Sequence, residues 1–395
     1  MMDVVLATLC LMAGMLIVYH HAGYPILLRW YAKRHPKTPV NESQRAYKEA
    51  EDDCTLPTVT ILVPAFNEEA WIADKIRNLA SLDYPKSKLK VVIACDGCTD
   101  KTVENAQMAI QEAICADIYF EIHDHKMNRG KVATVNDEMQ SIDSDITAMS
   151  DVSALISLDA LLIASEHFKT ARVGVVNATY QLCPTGNEGE DVYWKYQTAV
   201  KEREAALGSS LGSHGAFYLF RTHLFTPLPS NTINDDFILP MQIVKQGYVA
   251  DYETQMVALE LEETNTKADF KRRLRISAGN MQQAIELFSL FSPKFKGIAF
   301  AFFSGKGLRL LTPYLMIISL ICSFLLRDYL LFNFLFWTQV AVYMVGIIGH
   351  LLPAQLRVKP VSLISYLVVG HYANFVGGIR YLIGLENTPW TRVNR

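Results

Sequence analysis

Thr58–Asp100 reads TVTILVPAFNEEAWIADKIRNLASLDYPKSKLKVVIACDGCTD, and the fold class follows from this stretch. The apolar, β-branched run Val59–Val63 predicts a buried strand. Pro64-Ala65-Phe66-Asn67-Glu68-Glu69 predicts a loop. A helix over about residues 70–82 then puts Trp71, Ile72, Ile76 and Leu79 on one face. Tyr84-Pro85 ends that helix, and a second apolar strand, Leu89–Ala94, leads into Cys95-Asp96-Gly97-Cys98-Thr99-Asp100. The unit is strand–helix–strand, so the crossover is expected to be right-handed and the strands parallel and buried on both faces. Polar residues cluster at the carboxyl ends of both strands, the edge at which open α/β sheets bind ligands. Asn, Asp and Gly are ordinary turn formers in any α/β layer, so to this point the sequence gives a class and an edge only.

Working outward, 395 residues leave room for two domains. Half the chain is hydrophobic and its mean hydropathy is +0.14, which predicts membrane segments. A net charge of −3 gives no footprint for nucleic acid as a partner. The cysteines at 10, 54, 95, 98, 115, 183 and 322 are scattered, two of them in apolar segments, so no disulfide framework is read and a reducing compartment is expected. Cys95 and Cys98 form a CxxC that could be redox-active or half a zinc site. No second Cys or His pair stands at zinc spacing.

Residues 1–37 hold the apolar run Val4–Val18 and lack a basic leader, which reads as a retained anchor. Arg29, Lys33, Arg34, His35 and Lys37 follow, so what comes next is expected to be cytoplasmic. Residues 38–56 are polar and suit a linker. Towards the other end, residues 284–306 suit an interfacial helix, with Phe288–Ser304 aromatic and apolar. Within residues 307–386, Leu308–Leu326 and Tyr329–Leu352 are long enough to span a bilayer, with Arg327-Asp328 between them. Val361–Leu385 is a further candidate, although it carries His371, Asn374, Gly377, Gly378 and Arg380. Four spans would put the basic tail, residues 387–395, outside the cell. Its charge prefers the cytoplasm, so one segment is expected to be interfacial or re-entrant, and the sequence leaves open which.

The order VPAFNEE followed by a strand ending ACDGCTD resembles the opening of the family 2 inverting glycosyltransferases, whose GT-A fold (Rossmann-like, a mostly parallel sheet) binds a nucleotide-sugar. The resemblance covers about residues 57–283. It implies that Pro64, Ala65, Asn67, Glu68 and Asp96 hold uracil and ribose. His125-Lys126-Met127-Asn128-Arg129-Gly130-Lys131 falls where the family carries a Gly-Lys, so Lys131 is implied to neutralise diphosphate; a solvated basic turn is the plainer alternative. Ser150-Asp151-Val152-Ser153 matches the family's metal-holding Asp-x-Asp in position, with Ser153 replacing the second carboxylate. Mg²⁺ or Mn²⁺ at Asp151 and Ser153 is therefore implied, with the missing carboxylate counting against it.

Gly212–Tyr218 resembles the segment under the donor sugar and acceptor, which implicates His214, Gly215 and Ala216; a structural histidine is the alternative for His214. Asn234-Asp235-Asp236-Phe237, then Gly247-Tyr248, matches the family's acidic pair and implies Asp236 as general base beside Asp235, against simple helix capping by Asp. Arg272 and Arg275 stand where members carry Gln-x-x-Arg-Trp, with Arg for Gln and Ile276 for Trp. They are implied to clamp diphosphate, against a basic helix on anionic lipid. The resemblance thus implies a multi-pass enzyme of a bacterial inner membrane. It would move a hexosyl or N-acetylhexosaminyl group from a UDP-sugar to a lipid or glycan acceptor in exopolysaccharide or glycolipid assembly, with other polysaccharide-synthesis subunits as candidate partners. A ceramide- or diacylglycerol-type lipid glycosyltransferase is the alternative within the class. A catalytically idle, nucleotide-binding scaffold is the alternative outside it.

Overall fold

The computed structural model describes residues 1–36, 45–183, 188–262, 266–352 and 358–385. They fall into two compact units: Met1–Tyr31 with Thr266–Glu386, and Ala32–Asn265. The first unit opens with α1 (Met2–Val18) and α2 (Tyr24–Arg34), joined by a π-helical turn, Tyr19–Gly23, into one long helix.

The second unit is the α/β layer expected from Thr58–Asp100. It runs β1 (Val59–Ala65), α3 (Ile72–Ala80), β2 (Leu89–Asp96), α4 (Thr102–Ala109), β3 (Tyr119–His125), α5 (Lys131–Glu138), β4 (Ile146–Ser150) and β5 (Ala154–Ile156). It continues through α6 (Ala160–Phe168), β6 (Val173–Leu182), α7 (Glu188–Ala206), β7 (Phe217–Arg221), α8 (Asp235–Lys245) and β8 (Val249–Glu260). The strands form one eight-stranded sheet in the order β3-β2-β1-β4-β7-β6-β8-β5. The half from β3 to β4 is parallel, as predicted. The other half is mixed, because β7 lies antiparallel to both β4 and β6. β1 is buried along its whole length, and Ile72, Ile76 and Leu79 of α3 are fully buried in the core shared with it. Each such side chain contributes about 1.5–3 kcal/mol by leaving water.

One local reading changes. Residues 45–55, expected as linker, are tied down where described. Arg45 pairs with Asp53 at 2.9 Å and with Asp83 at 3.1 Å, and Glu51–Thr55 forms a 3₁₀ turn.

The helical unit resumes with α9 (Thr266–Glu286). The expected interfacial helix over Phe288–Ser304 is not a single helix. Two 3₁₀ turns, Phe288–Phe291 and Pro293–Phe295, precede Lys296 at φ +52°, and only then does α10 (Gly297–Ala301) start. A proline and a left-handed residue interrupt the amide ladder there. A second π-helical segment, Phe302–Gly307, joins α10 to α11 (Leu308–Leu325), followed by α12 (Leu330–Leu351) and α13 (Lys359–Leu382). Among the described residues, four helices, Met2–Arg34, Gly297–Leu325, Leu330–Leu351 and Lys359–Leu382, are long and apolar enough to cross a membrane.

Candidate active site

The expected site residues of the α/β unit are placed by strand ends and helix starts. β1 pairs with β2 through Ala65–Cys95 but leaves β4 at Leu62–Met149, so Pro64, with no N–H to give, lies past the second ladder. Asn67 takes φ +55°, a left-handed turn that asparagine tolerates. Its Oδ1 accepts from the Thr99 N–H at 2.8 Å, and the Glu68 N–H donates to Thr102 Oγ1 at 2.7 Å. The loops after β1 and β2 are thereby laced together.

Asp96 is fully buried, and its carboxylate accepts from the N–H of Arg129 at 3.0 Å and of Gly130 at 2.8 Å. Both oxygens are spent on the loop before α5, so the visible task of Asp96 is to position that loop. Gly97 makes the approach possible. Its φ is +67°, and a Cβ there would lie 2.2 Å from the Asn128 nitrogen.

The loop delivers Lys131, the first residue of α5, whose Nζ lies 2.9 Å from Asp151 Oδ1 and 3.5 Å from Asp235 Oδ2. Asp151 follows the last residue of β4. Because β7 runs antiparallel and starts opposite Ser150, Gly215 and Ala216 fall beside Asp151, whose N–H donates to the Ala216 carbonyl at 3.3 Å. A Cβ on Gly215 would approach Asp151 Oδ2 to 2.9 Å, so glycine is what lets that backbone come so close. Asp235 and Asp236 open α8, and Asp236 Oδ2 accepts from the Gly215 N–H at 3.1 Å. His214 stacks on Tyr180, ring centroids 3.8 Å apart, and its Nδ1 accepts from the Ala216 N–H at 3.2 Å. Ser153 is buried at the turn two residues beyond Asp151. Lys131, Asp151, His214, Gly215, Ala216, Asp235 and Asp236 thus converge, although they are spread over a hundred residues of chain.

Their charges are strongly coupled. Burial and the neighbouring Asp235 carboxylate push the Asp236 carboxyl up to about 6, with Lys131 and Lys201 pulling the other way. Burial opposes ionisation of Asp151 too, but Lys131 outweighs it and holds that carboxyl below its ordinary range. Lys131 keeps its proton well above the usual lysine range, the pull of Asp151 and Asp235 exceeding the cost of burial. The arrangement is one carboxylate kept anionic by a lysine and a second kept basic by a like charge.

Three further groups emerge that the sequence reading passed over. Lys75 on α3 is fully buried; its Nζ donates to Ser150 Oγ at 2.6 Å and also to the Ala154 carbonyl, gripping both sides of the Asp151–Ser153 turn. Burial pushes its ammonium down to about 7. A lysine between Ile72, Ile76 and Leu79 on an apolar helix face is a signal the sequence already carried. Lys201 on α7 donates to the Gly212 carbonyl at 3.1 Å, and the Tyr218 hydroxyl on β7 is buried without a hydrogen-bond partner. Neither had a sequence signal.

Among the described residues, no three carboxylate, imidazole or thiol groups gather into a metal cage. Asp151 supplies one hard oxygen ligand, with the Ser153 hydroxyl two residues on. One or two carboxylates completed by substrate phosphates and water is how Mg²⁺ is commonly held, so the residues fit a cation that arrives with a diphosphate. Arg272 and Arg275 lie on α9 of the helical unit. On that helix Arg273 lies over the Tyr366 ring at 4.3 Å and Phe270 stacks on Tyr372, so α9 packs against α13.

Residues 57–279 match the family model described as glycosyltransferase like family 2. The β-monoglucosyldiacylglycerol synthase of Nostoc sp. is 32% identical over 179 residues, 41% of this chain and 36% of that one. The poly-β-1,6-N-acetyl-D-glucosamine synthase of Staphylococcus aureus is 23% identical over 252 residues, 60% of this chain and 58% of that one. The matches therefore span between about a third and three-fifths of these curated relatives. Among solved structures, the mannosyltransferase PcManGT of Pyrobaculum calidifontis, in complex with GDP-Man and Mn²⁺, superposes with a TM-score of 0.72 at 21% identity. The superposition covers 95% of this chain and 99% of that one, a likeness of fold.

Proposed function

Because the chain belongs to glycosyltransferase family 2, we propose that it transfers a sugar from a nucleotide-sugar, UDP-linked in the first reading, to a hydroxyl of a membrane lipid or glycan, with inversion at the anomeric carbon. The observation that carries this reading is Asp236: a carboxylate raised to about 6 by burial and by Asp235, at the carboxyl edge of the sheet. Such a group is about nine-tenths ionised at pH 7 and still basic enough to take a proton. In the proposed step the acceptor oxygen attacks the anomeric carbon, the bond from that carbon to the diphosphate oxygen breaks, and the acceptor proton passes to Asp236. Lys131 meets the negative charge of the departing diphosphate. A divalent cation held at Asp151 would add Lewis-acid neutralisation of that charge. Asp96 and the Asn67–Thr99 contact hold the loops against which the nucleotide would lie.

Glycolipid or exopolysaccharide assembly in a bacterial inner membrane, with the α/β unit on the cytoplasmic side, is the setting proposed. The four apolar helices and the relatives that make a glucosyldiacylglycerol and a poly-N-acetylglucosamine support it. A GDP-linked donor is the second reading, favoured by the mannosyltransferase of similar fold whose complex contains GDP-Man.

Nucleotide diphosphate release tests the proposal. The detergent-purified full chain is given a panel of UDP- and GDP-sugars, membrane lipids, and Mg²⁺, Mn²⁺ or EDTA. One donor is expected to be turned over with metal present, and Asp236→Asn to lose about 10²–10⁴ of that rate. Full turnover by Asp236→Asn would remove the base assignment, and release that survives EDTA would remove the metal. Silence across the panel would move the reading to a nucleotide-binding scaffold.

A further inference from the structure

The helical unit holds a polar cluster that glycosyl transfer at Asp236 does not use. Where the π-helical turn Tyr19–Gly23 meets the π-helical segment Phe302–Gly307, the Tyr19 hydroxyl lies 3.0 Å from Ser304 Oγ and His20 Nδ1 lies 2.9 Å from the Ser304 carbonyl. π-Helical turns cost hydrogen-bond geometry and are frequent at functional sites. His371 of α13 joins from a third element, its Nε2 3.0 Å from His21 Nε2. Arg309 at the start of α11 acts electrostatically on all three rings, and Asn374, one turn on from His371, donates to the Arg309 carbonyl at 2.8 Å.

Among the described residues the hydrogen bonds of the cluster do not close. A carbonyl only accepts, so His20 Nδ1 carries the proton, and in the neutral ring Nε2 of this half-buried residue is left as an acceptor. The Asn374 side chain is 4% exposed, and its Oδ1 has no partner. A cluster that only tied helices together would satisfy a buried acceptor such as Asn374 Oδ1, since leaving one bare forfeits its hydration with nothing in return. On the same helix a Cβ on Gly370 would meet nothing within 4 Å, so α13 is uncovered on the side that Gly370 faces. His21 is exposed on the outer surface of the unit. Acceptors of this kind suit a ligand that donates hydrogen bonds and enters from the apolar side.

We propose that His20, His21, His371 and Asn374 form a binding site for the hydroxyl-bearing headgroup of a membrane lipid. Hydroxyls supply a donor to Asn374 Oδ1 and can donate to His20 Nε2, and acyl chains suit the apolar helices around them. Identifying that hydroxyl with the sugar acceptor rests on the glycosyl-transfer reading; the site itself does not.

Lipid retention, not turnover, is therefore the readout, so either proposal can fail alone. The full chain in an amine-oxide detergent is incubated with dioleoylglycerol, with the same lipid capped as its O-methyl ether, or with free glycerol, and bound lipid is counted by native mass spectrometry. Wild type is expected to retain dioleoylglycerol about tenfold better than the ether, the worth of a hydrogen bond or two. His371→Phe and Asn374→Leu should each lower retention severalfold while circular dichroism stays unchanged. Equal retention of diacylglycerol and ether by wild type would overturn the site without needing any variant. Displacement of the lipid by equimolar glycerol would overturn its lipid character, and full retention by both folded variants would overturn the residues.

Discussion

At Asp236, one side chain carries both the proposed chemistry and a cost in stability. Its folded pKa of about 6 stands above the model-compound value of 3.8, so the fold favours the protonated form. The stabilisation from that proton is complete below about pH 3.8 and is lost as pH rises through 6. The loss by then is on the order of 2–3 kcal/mol. Asparagine does not titrate and keeps an oxygen for the Gly215 N–H. Asp236→Asn is therefore expected to melt no higher than wild type at pH 4 and several degrees higher at pH 7–8, in thermal scans of the detergent-solubilised protein. A gap in melting temperature that did not widen with pH would show that Asp236 is not held under this tension. The same ionisation governs activity: wild-type kcat/KM should fall about tenfold per pH unit below 6, where the base is protonated. Gly215→Ala probes the other partner. Its Cβ would press on Asp151 Oδ2, so the carboxylate must leave its 2.9 Å contact with Lys131, and a severalfold rise in KM for the donor is expected with little change in melting.

Among elements, α3 does more than cover the sheet. Lys75 reaches from it through the core to Ser150 Oγ and the Ala154 carbonyl, so the turn bearing Asp151 is anchored from below by a buried amine. Lys75→Met keeps the volume and the apolar stem but drops both bonds, each worth about 0.5–3 kcal/mol across the neutral and charged forms. A folded protein with kcat/KM for the donor lowered at least tenfold is the expected result; unchanged kinetics would mean the turn holds itself. Local runs made the parallel half of the sheet legible: Val59–Val63 and Leu89–Ala94 are continuous apolar strands, and the structure extends them only to Ala65 and Asp96. Asp151, Asp235 and Asp236 were legible because each sits at a strand end or helix start whose flanking residues match a known order. What the sequence could not show is what depends on partners far along the chain. The antiparallel insertion of β7 between β4 and β6 brings Gly215 to Asp151, and the loop at Arg129 and Gly130 occupies the Asp96 carboxylate. Lys75 was the exception: its place between Ile72, Ile76 and Leu79 on an apolar face was visible in the sequence.

For the whole molecule, the number of crossing helices sets the side of the bilayer on which each segment lies. Arg29, Lys33 and Arg34 after the first helix predict that the following chain is cytoplasmic, from which Gly297–Leu325 would leave the cytoplasm and Leu330–Leu351 return. α13 decides the parity. It is the least apolar of the four candidates. The helix it packs on, α9, carries Lys271, Arg272, Arg273 and Arg275, each costing about 2.5–3.5 kcal/mol at the centre of a bilayer. That packing is close: Arg273 stacks on Tyr366, and a Cβ on Gly377 would lie 2.6 Å from the Leu274 carbonyl. A helix packed over Tyr366–Gly377 on a segment that carries four cations, Arg273 among its contacts, is expected to share their depth at the membrane surface. The polar cluster around His371 then falls at headgroup level, where a lipid hydroxyl is found. The prediction is that α13 does not cross, and that Leu385 lies on the same side as the α/β unit. Fluorescent protein fused after Leu385 in a bacterial host should therefore be bright and alkaline phosphatase fused there inactive, with the opposite pair after Asp328, between α11 and α12. An active phosphatase after Leu385 would make α13 a true span, and α9 would then need its cations shielded from lipid by protein alone.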